Sequence, residues 1–388
     1  MRIVVSTLGT HGDVIPLARL AAALAARGHD VTAHAWPLYA ALLAAPGVTF
    51  APSAAVVTTA DLDDTARRAV LAPTPGAQVR CFVERFYLDQ LDAYHRTVRQ
   101  AIAGAQLAII NVIDHVAQAT ADALGVPWIG WHSRPLTSDA RQAAEDQLFG
   151  GLDAEVSARI SRVVGARTAI RVFRQASRFL DLVAASPQLV GASAPPGRAL
   201  VTGHWLAPAS VEAEADIAGF VAADPRPTIF VTFGTIPDAG GRAQIVREAC
   251  ARAGVRAVVQ GAAIADADTL VIARRIPYGA VLGAFAGVLH HGGAGTTHEA
   301  CRAGTPSLCI PHFGDQYYWA RILAEREFGP AFVPHVQLSS ALLAPRIRAL
   351  VTEPRYRARA GEIAATLAQE TGLARAIELV EASQNELA

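Results

Sequence analysis

Apolar positions recur along this chain in two rhythms. Short, nearly unbroken aliphatic runs read as buried strands: Arg2 to Thr7, Asp30 to Ala35, Leu107 to Asn111, Val126 to Trp131, Thr228 to Thr232, Val255 to Gln260, Ala284 to Leu289 and Ser307 to Ile310. Between them lie stretches with helical spacing that stop at glycine, as in Val14 to Arg27 before Gly28 and Glu299 to Ala303 before Gly304. Strand and helix in alternation predict parallel α/β sheets. Residues 52–104 read as mostly helical with breaks near Pro73 and Pro75, and residues 138–184 as a helical excursion carrying Phe149, Phe173 and Phe179. The helical pattern fails around Ser193 to Gly197 and again from Gly203 to Pro208, so the chain divides into an N-terminal domain, 1–203, a linker, 204–224, and a second α/β domain from 225. Helices fill the chain from Leu338 onward.

A length of 388 residues accommodates two domains with sizeable cores. Although 52% of the residues are hydrophobic, arginines and glycines interrupt every apolar segment, and no run approaches a membrane span. The run from Val14 to Ala26 imitates a signal-peptide core, but Arg19 sits on its polar face and no processing site follows, so a cytoplasmic protein is expected. Zero net charge argues against nucleic acid as the main partner. Cys81, Cys250, Cys301 and Cys309 have no CxxC spacing and are expected as free thiols. All 34 basic residues are arginine, so no lysine can act as nucleophile or phosphate clamp. A bacterial coding bias accounts for this composition.

The densest chemistry lies between Leu289 and Gln316. Two histidines, His290 and His291, leave a strand and are followed by Gly292, Gly293 and Gly295, then Thr296 and Thr297. A glycine-rich strand-to-helix turn lets an anion approach the backbone and aims free N–H groups and the positive end of a helix at it. This is a diphosphate cradle without a P-loop lysine. A second strand end follows at Pro311, where Phe313-Gly314-Asp315-Gln316 opens another helix, so a cradle and an acid–amide pair reach the same sheet edge. Asp266-Ala267-Asp268 has the form of a metal-binding DxD but lies in a polar loop away from the cradle, and no histidine spacing supports zinc; no metal is expected.

HHGGAGTT followed by an AGxP step and DQ resembles the nucleotide-sugar signature of inverting GT-B glycosyltransferases, in particular the antibiotic (glycopeptide and macrolide) and sterol enzymes. The resemblance implies two Rossmann-like α/β domains facing across a cleft, with residues 225–371 as the nucleotide-sugar domain and residues 372–388 as a helix returning to the N-terminal domain. It covers essentially the whole chain, most strongly residues 276–316. It also implies transfer of a sugar, with inversion, from a nucleotide sugar to a hydroxyl of a small, apolar natural-product acceptor. The nucleotide sugar is a co-substrate and no other cofactor is expected. The protein would be a monomer or homodimer without stable membrane insertion.

By the same resemblance, His291 matches the histidine that hydrogen-bonds the diphosphate, with Gly293 and Gly295 permitting approach and Thr296 and Thr297 adding donors. Gly234 and Thr235 match a glycine–hydroxyl pair near the phosphates, and Ile276 the stretch facing the base. Asp315 and Gln316 match the pair that holds sugar hydroxyls. Glu299, eight residues after His291, matches a ribose-binding glutamate; a carboxylate that can accept from two ribose hydroxyls favours UDP over TDP. His290 is expected as a packed residue.

Sugar transfer needs a base for the acceptor proton. His11 and Asp13 lie where the first strand opens into its helix, in a turn that resembles the GxRGDVxP-like turn of the antibiotic enzymes. Asp13 matches their aspartate, and His11 replaces a common arginine and is the second candidate. A carboxylate there also caps the helix, which is compatible with catalysis. Asn111, at the position where plant-type enzymes keep an aspartate, and Asp114 are candidates for the acceptor pocket or a helix cap. Trp131, His132, Phe82 and Phe86 are candidates for lining that pocket and equally for the core. Other readings are a sugar-nucleotide epimerase of GT-B fold, which needs no acceptor pocket, and a non-catalytic nucleotide-sugar-binding protein, which would be expected to lose Asp13 or the Asp315–Gln316 pair. A nicotinamide enzyme fails on its first turn, GTHGDV, and on the missing acid after the second strand.

Overall fold

The computed structural model describes residues 1–135, 139–191, 198–205, 214–238, 241–261, 265–273 and 276–383, with backbone alone for 139–150. The chain forms two compact units. Unit 1 comprises Met1–Pro187, Ala192–Trp205 and Thr371–Ala388, and unit 2 comprises Gln188–Gly191 and Leu206–Glu370. Parts of the expected linker, residues 206–213, lie outside the described residues, as do Ser193 to Gly197 and the last five residues. Within the expected linker, Ala215–Ala222 is helical.

Unit 1 is built on the strands β1 (Arg2–Ser6), β2 (Asp30–Ala35), β3 (Val48–Pro52), β4 (Leu107–Asn111), β5 (Trp128–His132), β6 (Leu180–Val183) and β7 (Ala199–Val201), in the order β3-β2-β1-β4-β5-β6-β7. All neighbours are parallel. β4 and β5 are buried at every residue, which is why their sequences are unbroken apolar runs instead of alternating ones. Helix Gly372–Ala382 belongs to this unit; Gly372 lies so close to Gly203 that a Cβ would come within 2.5 Å of its carbonyl carbon, and Glu381 pairs with Arg27 at 2.7 Å.

Unit 2 carries β8 (Thr228–Thr232), β9 (Arg256–Gln260), β10 (Thr269–Ile272), β11 (Gly287–His290) and β12 (Ser307–Cys309), again parallel, in the order β10-β9-β8-β11-β12. Both sheets reverse direction once. From β1 the chain runs outward through β2 and β3, then returns to β4 on the other side; from β8 it runs through β9 and β10, then returns to β11. The carboxyl ends of β1 and β4, and of β8 and β11, are therefore topological switch points, where open parallel sheets bind ligands.

Several expectations are corrected. The run Ala284 to Leu289 is not all strand: Leu282–Ala284 is a 3-10 turn and β11 begins at Gly287, where Leu350 fills the space a side chain would need. The helix after the glycines starts at Ala294, five residues earlier than its apolar spacing indicated. The excursion 138–184 is helical only over Asp139–Val164; beyond it Phe173 takes a positive φ of 60° and β6 begins at Leu180. The side chain of Phe149 lies outside the described residues. Strands β3, β7 and β10 are additions at sheet edges, short and half-exposed, so their apolar signal is weak.

Candidate functional site

In unit 1, the turn after β1 is organised by Asp13. Helix His11–Ala26 is capped by Thr10, and Asp13 closes a capping box by accepting from the Thr10 N–H at 2.8 Å and the Thr10 hydroxyl at 3.2 Å. Gly9 has φ 108°, and a Cβ on it would press into the Asp13 carboxylate and lie 2.7 Å from Ile113 Cδ1, so glycine is required. Tyr39 donates to the Gly9 carbonyl at 2.9 Å and presents its ring to His11 edge-on, 5.1 Å between centroids. His11 and Asp13 are both half-buried. From Tyr39 an aromatic chain continues through Trp36 to Phe86 and Phe82, with centroid separations of 6.4, 5.2 and 5.5 Å.

The turn after β4 is different in kind. Asp114 is fully buried, caps helix His115–Leu124 through the Ala117 N–H at 3.1 Å, and accepts from Ser6 at 2.7 Å and Tyr94 at 2.6 Å. Burial pushes its carboxyl up to about 6, against the pull of the Ser6, Tyr94 and Ala117 donors. Asn111 accepts from the Ile113 N–H at 3.0 Å. His132 is held by Asp181 at 3.1 Å, and Trp131 packs on Trp205 at 5.5 Å with both rings buried. In this structure Asn111, Asp114, Trp131 and His132 are buried, as is Phe86, while Phe82 remains partly exposed. Sequence reasoning missed Ser6, His34 and Tyr94, which meet around Asp114; Tyr94 sits on the buried stripe Leu91, Tyr94, His95, Val98, Ile102 and reads as ordinary core.

In unit 2, His291 follows β11 and is enclosed by glycines. A Cβ at Gly234 would lie 2.9 Å from its Cε1, and one at Gly293 would lie 3.0 Å from the same atom. Gly292, at φ 86°, brings the turn to within 2.7 Å of the Gln316 carbonyl for such a Cβ. Burial foremost, with the cationic Arg242 second, lowers His291 to about 4, so its ring is neutral at pH 7, although its edge stays partly exposed. His290 is buried, accepts from the Gly292 N–H at 3.1 Å and is packed as expected.

Helix Ala294–Arg302 has Gly293 as its N-cap with no side-chain cap, which leaves the amide ends of the first turn to other partners. A Cβ at Gly295 would meet nothing within 4 Å, so the space before the first turn is open. Thr296 is mostly buried, and the Thr297 hydroxyl is buried without a hydrogen-bond partner. Thr235 is half-buried beside Gly234, and Ile276 is buried. Glu299 pairs with Arg302 at 2.8 Å. Asp315 is half-buried at the cap of helix Gln316–Glu325, while the Gln316 side-chain oxygen accepts from the His312 N–H at 2.8 Å. The structure thus brings Gly234, Thr235, His291, Gly293, Thr296 and Gln316 to the carboxyl ends of β8, β11 and β12. Asp266 and Asp268 are ion-paired, to Arg247 at 3.4 Å and Arg226 at 2.5 Å, and not simply solvated. Among the described residues no group of three or more His, Cys, Asp or Glu side chains could hold a metal ion, and no helix is long and apolar enough to cross a membrane. The four cysteines are free.

Two parallel, doubly wound units, one with a glycine-lined histidine and an open helix start at its switch point, give the chain the two-domain GT-B architecture. Residues 249–381 match the family described as erythromycin biosynthesis protein CIII-like, C-terminal domain. The chain is 28% identical to the vancomycin aglycone glucosyltransferase of Amycolatopsis orientalis, over 100% of this chain and 98% of that protein. It is 26% identical to the O-mycaminosyltylonolide 6-deoxyallosyltransferase of Streptomyces fradiae, over 98% and 97%. The crystal structure of the glycosyltransferase VinC in complex with DTDP shares the fold with a TM-score of 0.71 at 19% identity, over 99% of this chain and 100% of that one. The chain is thus similar over its whole length to glycosyltransferases of antibiotic biosynthesis, and it shares their GT-B fold; these likenesses support a place in the UDP-glycosyltransferase superfamily.

Proposed function

We propose that the protein transfers a sugar, with inversion, from a pyrimidine nucleoside-diphosphate sugar to a hydroxyl of a small, apolar natural product, without a metal ion. The observation that carries this reading is the His291 turn, where two glycines, Gly234 and Gly293, clear the space around one imidazole at the open start of helix Ala294–Arg302. There the neutral ring and the amide ends of the first helical turn receive the diphosphate as charge builds on the leaving group. An exposed helix start contributes about 0.3–1 kcal/mol per anionic charge, and about 2 kcal/mol when partly buried.

Asp13, or failing it His11, takes the acceptor proton as the hydroxyl oxygen attacks the anomeric carbon. The Asp315–Gln316 pair is assigned to the sugar hydroxyls. Glu299, which pairs with Arg302 at 2.8 Å, is assigned to the ribose, where a carboxylate can accept from two hydroxyls of UDP and one of TDP. A bound thymidine nucleotide in VinC supports a pyrimidine diphosphate and keeps TDP as the competing donor. Phe82, the partly exposed end of the buried aromatic chain that runs through Phe86 and Trp36 to Tyr39 beside His11, supports an apolar acceptor.

Titration calorimetry with UDP and TDP tests this. Micromolar binding that weakens in His291→Ala supports the assignment, and a preference for UDP that disappears in Glu299→Gln supports the ribose contact. Absence of binding by either nucleotide overturns the donor site.

A further inference from the structure

We infer that Arg242 is a positioning residue of the donor site, which fastens the loop after β8 to the loop after β12 and lends a buried positive charge to the bound diphosphate. The inference rests on the reading of the His291 turn as the diphosphate site.

Arg242 opens helix Arg242–Ala253 and is 6% exposed. Its guanidinium donates to the Ile236 and Pro237 carbonyls at 3.1 Å each, and to His312 Nε2 at 2.8 Å. Its flat face lies 3.9 Å over the Phe233 ring. These contacts hold the segment that follows β8 and carries Gly234 and Thr235. His312, stacked on His335 at 4.9 Å, donates its backbone N–H to Gln316, and the Gln316 carbonyl closes against Gly292 in the His291 turn. One guanidinium is thus the origin of a chain of contacts through all three loops that surround His291.

The charge balance points the same way. The hydrogen-bond partners of Arg242 are neutral, and its ion-pair partner, Asp238, stands 3.8 Å from Nε while also accepting from the Ala243 N–H at 3.2 Å. Burying a cation with such loose compensation is costly and is retained where an anion arrives. Desolvation lowers Arg242 to about 10, which still leaves it charged at pH 7, and its charge contributes to the depression of both His291 and His312. In a chain whose basic residues are all arginine, this buried guanidinium supplies the charge that a phosphate-binding lysine would give.

The test compares UDP and TDP with uridine and thymidine, by calorimetry and by competition, on the full-length protein. Arg242→Gln should weaken the diphosphates roughly tenfold or more and leave the nucleosides unchanged, with Arg242→Lys intermediate. Asp238→Asn keeps the acceptor for Ala243 and removes the competing negative charge, so it should tighten diphosphate binding; this holds even if the Arg242 variants fold poorly. Equal losses for diphosphate and nucleoside, no loss in Arg242→Gln, or weaker diphosphate binding in Asp238→Asn would overturn the inference while wild-type binding and the His291→Ala effect stand. No diphosphate binding by the wild type would instead remove the donor-site reading itself, and this inference with it.

Discussion

Gly234 and His291 are placed as a matched pair: the glycine follows β8 at φ 61°, and a Cβ on it would come 2.9 Å from the imidazole of the histidine that follows β11. Two penalties therefore attach to a side chain at this position, backbone strain and displacement of the ring. Gly234→Ala should cost about 1–2 kcal/mol from the left-handed conformation alone, a fall in Tm of a few degrees. It should also weaken UDP or TDP binding. A variant with wild-type nucleotide affinity would show that the ring position is not part of the donor site.

Asp13 is already committed to the capping box, and this makes its substitutions informative. Asp13→Asn keeps a side-chain oxygen for the Thr10 N–H, so its Tm should stay near wild type, while turnover on apolar hydroxylated acceptors falls roughly a hundredfold or more. Asp13→Ala loses the cap as well, about 1 kcal/mol. If Asp13→Asn turns over normally, the base is His11, and His11→Gln becomes the inactive variant.

The Thr297 hydroxyl separates stability from binding in the other direction. It is buried and lacks a partner in the free protein, so Thr297→Val, which preserves shape, should be neutral or slightly stabilising by thermal melt. Nucleotide affinity falls in the same variant if the hydroxyl turns to the diphosphate, and stays constant if the residue only fills the helix base.

Much of this architecture was legible because the central strands of both sheets are buried on both faces. β2, β4 and β8 have the limits read from their apolar runs, since β4 and β8 are buried at every residue and β2 at all but Asp30 and Thr32. The edge strands β3, β7 and β10 are half-exposed, and their short sequences do not stand out from loops. The glycines beside His291 were legible as a tight strand-to-helix turn, and the structure leaves no room for a Cβ at Gly292 or Gly293. Arg242 was not, because its partners, two backbone carbonyls and the side chain of His312, leave no trace in the sequence around it. Asp114 was read as either a pocket or a cap residue, and the difference lies in Ser6 and Tyr94, which are distant in sequence and meet it only across the sheet.

Metal dependence gives a direct check on Asp266 and Asp268. Their carboxylates are engaged by Arg247 and Arg226, so Asp268→Asn should leave turnover unchanged, and activity should persist in EDTA. Loss of activity on chelation, restored by a divalent cation, would refute metal-independent transfer.

Stability should fall on mild acidification. Burial lowers His34 and His290 to about 3 and His115, His291 and His298 to about 4, and it lowers His312 further still, all from an ordinary value of 6.5. Between these values and 6.5 the unfolded chain binds more protons than the folded one, so the stability these histidines provide is complete above about pH 6.5 and is lost as the pH falls. Asp114 opposes them: its carboxyl is raised from 3.8 to about 6, so its contribution is present at low pH and is lost as the pH rises through 6. Six lowered histidines outweigh one raised carboxyl, and the Tm should drop by roughly 5 °C or more between pH 7 and pH 5. Asp114→Asn removes the opposing group and should make that drop steeper. A Tm that is flat or rises over this range, or an unchanged slope in Asp114→Asn, would contradict the protonation states assigned to these buried groups.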